Sequence, residues 1–247
     1  MAQSKPPFLS IVIPAYNEEK RIVGSLKDIC RYLAGKPYTY EVLIVDDGST
    51  DGTLEACRAL AADSPYIKTV HYPVNRGKGF AVRTGMMEAA GENLLLCDAD
   101  LATPIEELDR FRDYRDEGFD IVIASRPLKE SHLVKKQPFY REWAGRAFNH
   151  AVQALAVPGI HDTQCGFKLF SRDSARTIFP LCFLNGWAFD MEALHIAQRL
   201  GFSIKEAPVH WYHRPGSKIH FVRDGLRMLA DVFRIRLGHR KLQGQSK

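Results

Sequence analysis

Five short apolar runs, each of the first four followed by a stretch with helical periodicity, restrict the fold of this chain more than any other feature. FLSIVI (8–13) precedes a helical pattern over Glu18–Leu33, YEVLIV (40–45) one over Thr53–Ala62, and IKTVHY (67–72) one over Gly79–Ala90. NLLLCD (93–98) precedes Pro104–Glu117, and DIVIAS (120–125) ends the series. The runs are apolar throughout rather than alternating, as in strands buried on both faces of a parallel sheet. Pro14, Gly48, Gly77 and Pro104 punctuate the chain just past strand candidates, where it must turn into a helix. The pattern predicts one α/β domain with a mostly parallel central sheet flanked by helices. In open sheets of this kind ligands bind beyond the carboxyl ends of the strands, so the polar residues at those ends are the candidates for function.

After Arg126 the pattern changes. A basic segment holding Pro127 and Pro138 leads to a helix near Tyr140–Leu155, a short strand near Gly166–Ser171, a helix over Phe189–Leu200 and a strand around Ser203–His210. No polar linker separates two domains, so the boundaries are a single domain over 1–218, with halves of about 8–125 and 126–218, and a basic amphipathic helix and tail over 219–247. In that last segment Val222, Leu226, Leu229, Val232 and Phe233 share one helical stripe, with Arg223, Arg227 and Arg234 elsewhere. Either the stripe packs on the domain, or it rests on anionic lipid.

A chain of 247 residues, 45% of them hydrophobic, buries a full core without staples. Cys30, Cys57, Cys97, Cys165 and Cys182 form no C-x-x-C pair, which favours reduced thiols in a cytosolic setting. MAQSKPPF lacks the apolar core of a leader, and no segment approaches the roughly 18–20 apolar residues that span a bilayer, so membrane contact is expected to be peripheral. The net charge of +5 is concentrated in Lys129–Arg146 and Arg214–Lys241, which read either as solvated basic surface or as attraction to phosphates. No nucleic-acid motif accompanies it. A homo-oligomer is compatible with the sequence.

Three constellations stand at the strand ends. Asp46-Asp47-Gly48-Ser49-Thr50-Asp51-Gly52-Thr53 follows YEVLIV. Asp51 or Thr53 reads as a helix cap. Asp46 and Asp47 have no such structural role in the sequence, and a carboxylate there can accept hydrogen bonds from a base or ribose. Asp98-Ala99-Asp100 ends NLLLC; residues i and i+2 of an extended segment point the same way, so two carboxylates can converge on one hard cation shared with substrate phosphates. Asn75-Arg76-Gly77-Lys78-Gly79 ends the third strand and either offers N–H groups and positive charge to an anion or is only a turn.

Pro14-Ala15-Tyr16-Asn17-Glu18-Glu19, Asp46-Asp47-Gly48-Ser49, Asn75-Arg76-Gly77-Lys78-Gly79 and Asp98-Ala99-Asp100, in this order, resemble family 2 glycosyltransferases with a GT-A type nucleotide-sugar-binding domain. The set covers roughly the first 125 residues. Asp162-Thr163-Gln164-Cys165-Gly166-Phe167-Lys168-Leu169-Phe170, Trp187-Ala188-Phe189-Asp190-Met191-Glu192 and Gly216-Ser217-Lys218 look like the dolichyl-phosphate β-glucosyltransferases, with the dolichyl-phosphate mannosyltransferases next. The resemblance implies that Pro14, Tyr16, Glu18, Asp46 and Gly48 belong to the nucleoside site, that Asp98 and Asp100 hold Mg²⁺ or Mn²⁺ on the diphosphate, and that Lys78 lies beside it. Arg126, Arg141 and Lys218 would meet phosphates of donor or acceptor. The mannosyl members often carry a polar side chain where this chain has Ala102, and eukaryotic glucosyl members carry an N-terminal membrane helix that is not seen here.

What the resemblance implies is an inverting transfer from a nucleotide-sugar donor, UDP-glucose, to a polyprenyl phosphate, at the cytoplasmic face of a membrane. Another donor such as GDP-mannose, a soluble acceptor, or an inactive nucleotide-sugar-binding module are the competing readings. A phosphate acceptor is already ionised and needs positioning more than deprotonation. Asp162 is the first candidate for the carboxylate at the reacting centre and Asp190 the second, though Asp190 also reads as a helix N-cap. Cys165 reads as a small core residue, and His210 and His213 line either an acceptor groove or a packed strand end.

Overall fold

The computed structural model describes residues 5–133, 152–153, 155–214 and 221–242. The expected helix near Tyr140–Leu155 lies largely outside these residues, and Arg141 and Lys218 lie wholly outside them.

The first half forms the alternating units that its apolar runs predict. Strands β1 (Leu9–Ala15), β2 (Tyr40–Asp46), β3 (Ile67–His71), β4 (Asn93–Cys97) and β5 (Ile121–Ala124) are separated by helices α1 (Glu19–Ala34), α2 (Thr53–Ala62), α3 (Lys78–Glu88) and α4 (Leu108–Asp116), the last entered through a 3-10 turn at Ile105–Glu107. Pro14 sits inside β1 rather than past it. The β1 ladder with β4 ends at Val12, so Pro14 is laddered on one side only, where a missing N–H is tolerated.

The second half contributes β6 (His132–Leu133), β7 (Phe167–Ser171), α5 (Arg172–Ile178), a 3-10 turn at Phe179–Leu181, α6 (Phe189–Arg199), β8 (Ile204–Ala207), β9 (His210–Trp211) and α7 (Phe221–Gly238). The single strand expected around Ser203–His210 is two, broken at Pro208, which has no N–H to give a ladder. Helix α5 had no clear periodicity; it starts where Ser171 Oγ accepts the Ser174 N–H at 3.0 Å, a side-chain cap.

Among the described residues the main sheet has seven strands, in the order β3-β2-β1-β4-β7-β5-β8. Only β7 runs against its neighbours, pairing antiparallel with both β4 and β5, so the two halves of the chain share one sheet. Alternate residues of the central strands enter opposite cores. Leu9, Ile11 and Ile13 of β1 and Leu95 and Cys97 of β4 meet α1 and α4 through Ile22, Leu26, Ile29, Leu108 and Phe111. Val12, Leu94 and Leu96 face the other way, toward Val82 and Met86 of α3, Leu194 of α6 and Val232 of α7. Each fully buried aliphatic side chain stabilises by about 1.5–3 kcal/mol, which explains why both faces of these strands are mainly apolar.

Candidate active site

A cleft of about 580 Å³ opens beyond the carboxyl ends of β1, β2 and β4. Its walls bring together Pro14, Tyr16 and Glu18 from the end of β1, Lys78 from the start of α3, Asp98 and Asp100 from the end of β4, Arg126 past β5, and Asp190 from α6. Asp46, Gly48 and Asp162 stand behind these walls rather than on them.

The carboxylates after β4 are set by backbone geometry. Asp98 follows the strand, and its N–H donates to the carbonyl of Gly166 at 3.1 Å. Gly166 has no side chain, and a Cβ there would lie 1.8 Å from Asp98 Oδ2, so the carboxylate occupies the space a larger residue would fill. Leu101 adopts a positive φ of 46°, and the Ala102 N–H donates to Asp100 Oδ1 at 3.1 Å. Burial and the neighbouring charge of Asp98 raise the pKa of Asp100. Lys78 Nζ stands 2.6 Å from Asp98 Oδ1, and Arg21 Nη1 is 3.7 Å from Asp100 Oδ2. Burial would discharge Lys78, but the charges of Asp98 and Asp190 overcome this and hold its pKa above the ordinary value.

This donor set fits a hard divalent cation. Two carboxylates two residues apart end one strand, and the charge of one disfavours ionisation of the other, a conflict a cation between them would relieve. No cluster of three or more candidate ligands exists among the described residues.

Asp190 and Asp162 separate clearly. Asp190 is not a helix cap: α6 begins at Phe189, and the Asp190 carboxylate turns to Lys168, whose Nζ is 2.6 Å away. Lys168 is itself buried, and its second bond goes to the Cys165 carbonyl at 2.5 Å. Burial raises the pKa of Asp190 against the opposing pull of Lys168 and Lys78. Asp162, by contrast, is wholly occupied. Arg126 donates to it through Nε at 2.6 Å, Nη2 at 2.9 Å and its backbone N–H at 3.0 Å, and Gln164 and Cys165 add N–H bonds to Oδ1 at 3.2 Å each. Burial works to protonate Asp162, but the Arg126 charge and these bonds hold its pKa below the ordinary value. Of the two, the carboxylate that faces the cleft is Asp190.

The Asp46-Asp47 pair also divides. Asp47 has the structural role that its sequence position did not reveal: its oxygens accept the Arg76 N–H at 2.7 Å, the Gly77 N–H at 2.9 Å and the Asn75 side-chain amide at 3.0 Å. Asp46 is buried, with Oδ2 2.8 Å from His71 Nδ1, while its Oδ1 has no hydrogen-bond partner among the described residues. Gly48 takes a φ of 67° against the backbone of Val74 and Asn75, where a Cβ would come within 2.7 Å. Neither Asp51 nor Thr53 is the N-cap of α2: Gly52 holds that position, and Asp51 just before it accepts the Thr53 N–H at 3.0 Å.

The loop before α3 gives four of its N–H groups to protein acceptors rather than to an anion. Arg76 and Gly77 give theirs to Asp47, and Gly79 gives its own to the Asn185 carbonyl at 2.8 Å, with Phe80 at 3.4 Å. Gly77, at a φ of 100°, admits this crossing because a Cβ would lie 2.4 Å from Asn185 O. Positive charge at this end of the cleft therefore comes from the Lys78 side chain.

Several wall residues were not singled out from sequence. Arg21 donates to Glu18 Oε2 at 2.7 Å, and Gln164, Gly186, Trp187, Trp211 and Arg214 also line the cleft. Lys78 Nζ lies 5.4 Å from the Trp187 ring centre and the Arg126 guanidinium 5.5 Å from that of Trp211. His213 lines the cleft, whereas His210 is held 2.6 Å from Glu107 Oε1. Burial pushes the Cys165 thiol up to about 11, as for a packed, protonated residue.

Residues 10–179 match the model of Glycosyl transferase family 2. The chain belongs to that family. This glycosyltransferase is 40% identical over 241 residues to a dolichyl-phosphate beta-glucosyltransferase of Dictyostelium discoideum, an alignment that spans 93% of this chain and 74% of the relative. The human protein of the same name is 35% identical over 244 residues, spanning 93% and 75%. Among solved structures, glucosyl-3-phosphoglycerate synthase of Mycobacterium tuberculosis in complex with UDP superposes with a TM-score of 0.69 at 20% identity, over 93% of this chain and 80% of that one. Mannosyl-3-phosphoglycerate synthase of Rubrobacter xylanophilus gives 0.71 at 19%, over 95% and 75%. The glycosyltransferase has the GT-A type of fold.

Proposed function

We propose that this glycosyltransferase moves glucose from UDP-glucose to a polyprenyl phosphate of the dolichyl type, with inversion at the anomeric carbon. The observation that carries the reading is the convergence of Asp98, Asp100, Lys78, Arg126 and Asp190 on one cleft, in a chain 40% identical to a protein named for that reaction. Pro14, Tyr16 and Glu18 form the wall nearest β1 and β2, the side on which the nucleoside would lie; Asp46 and Gly48 would shape that wall from behind.

Asp98 and Asp100 would hold Mg²⁺ or Mn²⁺, which when bound neutralises charge on the departing diphosphate. Lys78 places a cation beside the same oxygens. Arg126, pinned by Asp162, keeps a fixed guanidinium at the cleft, where it would orient an acceptor phosphate; Arg141 and Lys218 are proposed for the same duty. The acceptor oxygen is already an anion near neutral pH, so no side chain has to remove a proton from it. Asp190 is then the carboxylate nearest the reacting centre, and its role is to fix the acceptor and Lys78 rather than to act as an obligatory base. Such an acceptor is held in a membrane, and no helix among the described residues is long and apolar enough to cross one. The enzyme would work from the cytoplasmic face as a peripheral protein.

The test is transfer of labelled sugar from UDP-glucose to a short polyprenyl phosphate with Mn²⁺ or Mg²⁺, comparing the native chain with Asp100→Ala. Metal-dependent label in the lipid phase, lost in the variant, is the expected result. Metal-dependent UDP release without lipid label would keep the donor site and replace the acceptor with a soluble one.

A further inference from the structure

The C-terminal helix α7 has two faces, and only one belongs to the core. Met228, Val232 and Ile235 are buried against the domain, and His239, just past the helix, is buried with Nε2 2.9 Å from Glu192 Oε1. On the opposite side Phe233 is 53% exposed and Leu237 66%, unusual for side chains of this size. At about 3.6 residues per turn these two adjoin one another, with Arg236 along one flank and Arg227 and Arg234 along the other, and Arg240 and Lys241 follow in the turn past the helix end. All five cations are exposed. The two acids of the helix are withdrawn: Asp224 is buried, and Asp231, largely buried, pairs with Arg234 at 2.8 Å. Phe183 comes up from another element against Gly238 and Arg234, 38% exposed, and Leu181 beside it in the chain is exposed to the same degree.

We infer that this face is a docking surface for an anionic lipid membrane. An apolar strip with arginines on both flanks matches the cross-section of a bilayer interface: the rings and aliphatic groups enter the acyl boundary, and the long cationic chains reach back to phosphate. A second copy of the same face is a poor occupant, because a two-fold contact would set its cations against their own kind. The placement also suits the cleft. Phe183 begins the segment that continues through Gly186 and Trp187 into the cleft wall, and Gln164 of that wall reaches Met228 of α7 at 3.0 Å, so a membrane seated here lies next to the entrance. The docking surface rests on the polyprenyl-phosphate reading for its purpose, but vesicle binding, its first test, needs neither donor nor acceptor.

The experiment is co-sedimentation of the full chain with phosphatidylcholine vesicles, with and without phosphatidylglycerol. The expected result is binding to the anionic vesicles alone, weakened by salt, and weaker by about tenfold or more in the double variant F233S/L237S. Thermal unfolding of that variant should match the native chain, since both side chains are exposed; R236Q/R240Q, which leaves the apolar strip intact, should also bind less. In the transfer assay, the variants should lose activity on acceptor embedded in anionic vesicles but keep it on acceptor dispersed in neutral detergent. Absence of native binding, or equal binding by F233S/L237S, overturns the inference, and so does a dimer in solution that F233S/L237S dissociates. Vesicle binding without any lipid-acceptor activity would uphold the surface and sink the acceptor reading instead.

Discussion

Arg126 and Asp162 are joined by a bidentate ion pair, Nε to Oδ2 at 2.6 Å and Nη2 to Oδ1 at 2.9 Å, with the backbone N–H of Arg126 as a third bond. The pair ties the end of β5 to the turn at residues 162–165, whose N–H groups close on the same carboxylate. It also explains how a flexible arginine reaches the cleft in one orientation. Two of its nitrogens are spent on Asp162, and the rest of the guanidinium stays at the wall.

Removing one partner of a buried pair leaves the other uncompensated. Asp162→Ala should lower the unfolding free energy by about 3–5 kcal/mol in urea titration, and Asp162→Asn by less, since one acceptor oxygen remains. The pH dependence has a definite sign. Because the folded-state pKa of Asp162 is depressed, its contribution is present above the ordinary value of 3.8 and is lost as pH falls through the lower folded value. The Asn variant should therefore lose the part of the acid destabilisation below pH 3.8 that this group supplies. A variant of native stability that has lost only catalysis would show instead that Asp162 is a reacting group.

Gly166→Ala tests the seating of Asp98. The added Cβ would fall 1.8 Å from Oδ2, so the carboxylate must swing away, taking with it the Lys78 contact. A displacement of about 1 Å at a reacting constellation costs on the order of 10²-fold in rate. The expected outcome is a loss of that size in kcat/KM together with weakened Mn²⁺ binding by calorimetry, while Gly24→Ala, on α1 at a position with no neighbour within 4 Å, leaves Mn²⁺ binding unchanged.

The strand ends were legible because runs such as YEVLIV and NLLLC are mainly apolar on both faces, and the residues that follow them must turn at the ligand-binding edge. What those residues do there was less so. Asp47 carries the same chemistry as a ligand carboxylate, yet it spends that chemistry on the 75–77 loop. The amides at Gly79 and Phe80 look available in the local sequence; they are covered by Asn185, more than a hundred positions later. Lys168 alternates into a strand core where a lysine is unexpected, and only the position of Asp190 shows its use. The antiparallel insertion of β7 between β4 and β5 left no local mark either, because a short apolar strand reads the same in both directions.

Lys168→Met replaces a buried cation with an apolar chain of similar length and leaves Asp190 without its nearest counter-charge. Burial already raises the Asp190 pKa, and losing the Lys168 interaction raises it further. If activity requires the ionised carboxylate, the acid limb of kcat/KM moves to higher pH, with activity at high pH recovering toward native. An unmoved acid limb in a folded variant would remove Asp190 from the reaction.

Glu192 holds a wall of the cleft from behind. It is fully buried, and its carboxylate accepts the Phe183 N–H at 3.0 Å and the Leu184 N–H at 2.8 Å, with His239 of the C-terminal segment 2.9 Å away. The next residue, Asn185, supplies the carbonyl that caps Gly79 and Phe80, and Trp187 follows. Glu192→Gln keeps the shape but turns an amide donor toward one of these donors, which costs about 1–3 kcal/mol. The segment at 183–187 should loosen, so the amides of Gly79 and Phe80 exchange with solvent faster and KM for the donor rises more than kcat falls. His239→Ala, which removes one of the three contacts and leaves both loop N–H bonds, should show the same pattern more weakly. Unchanged exchange at Gly79 and Phe80 in a folded Glu192→Gln variant would mean that the Asn185 contact stands without the carboxylate, and that the end of α7 has no hold on the cleft.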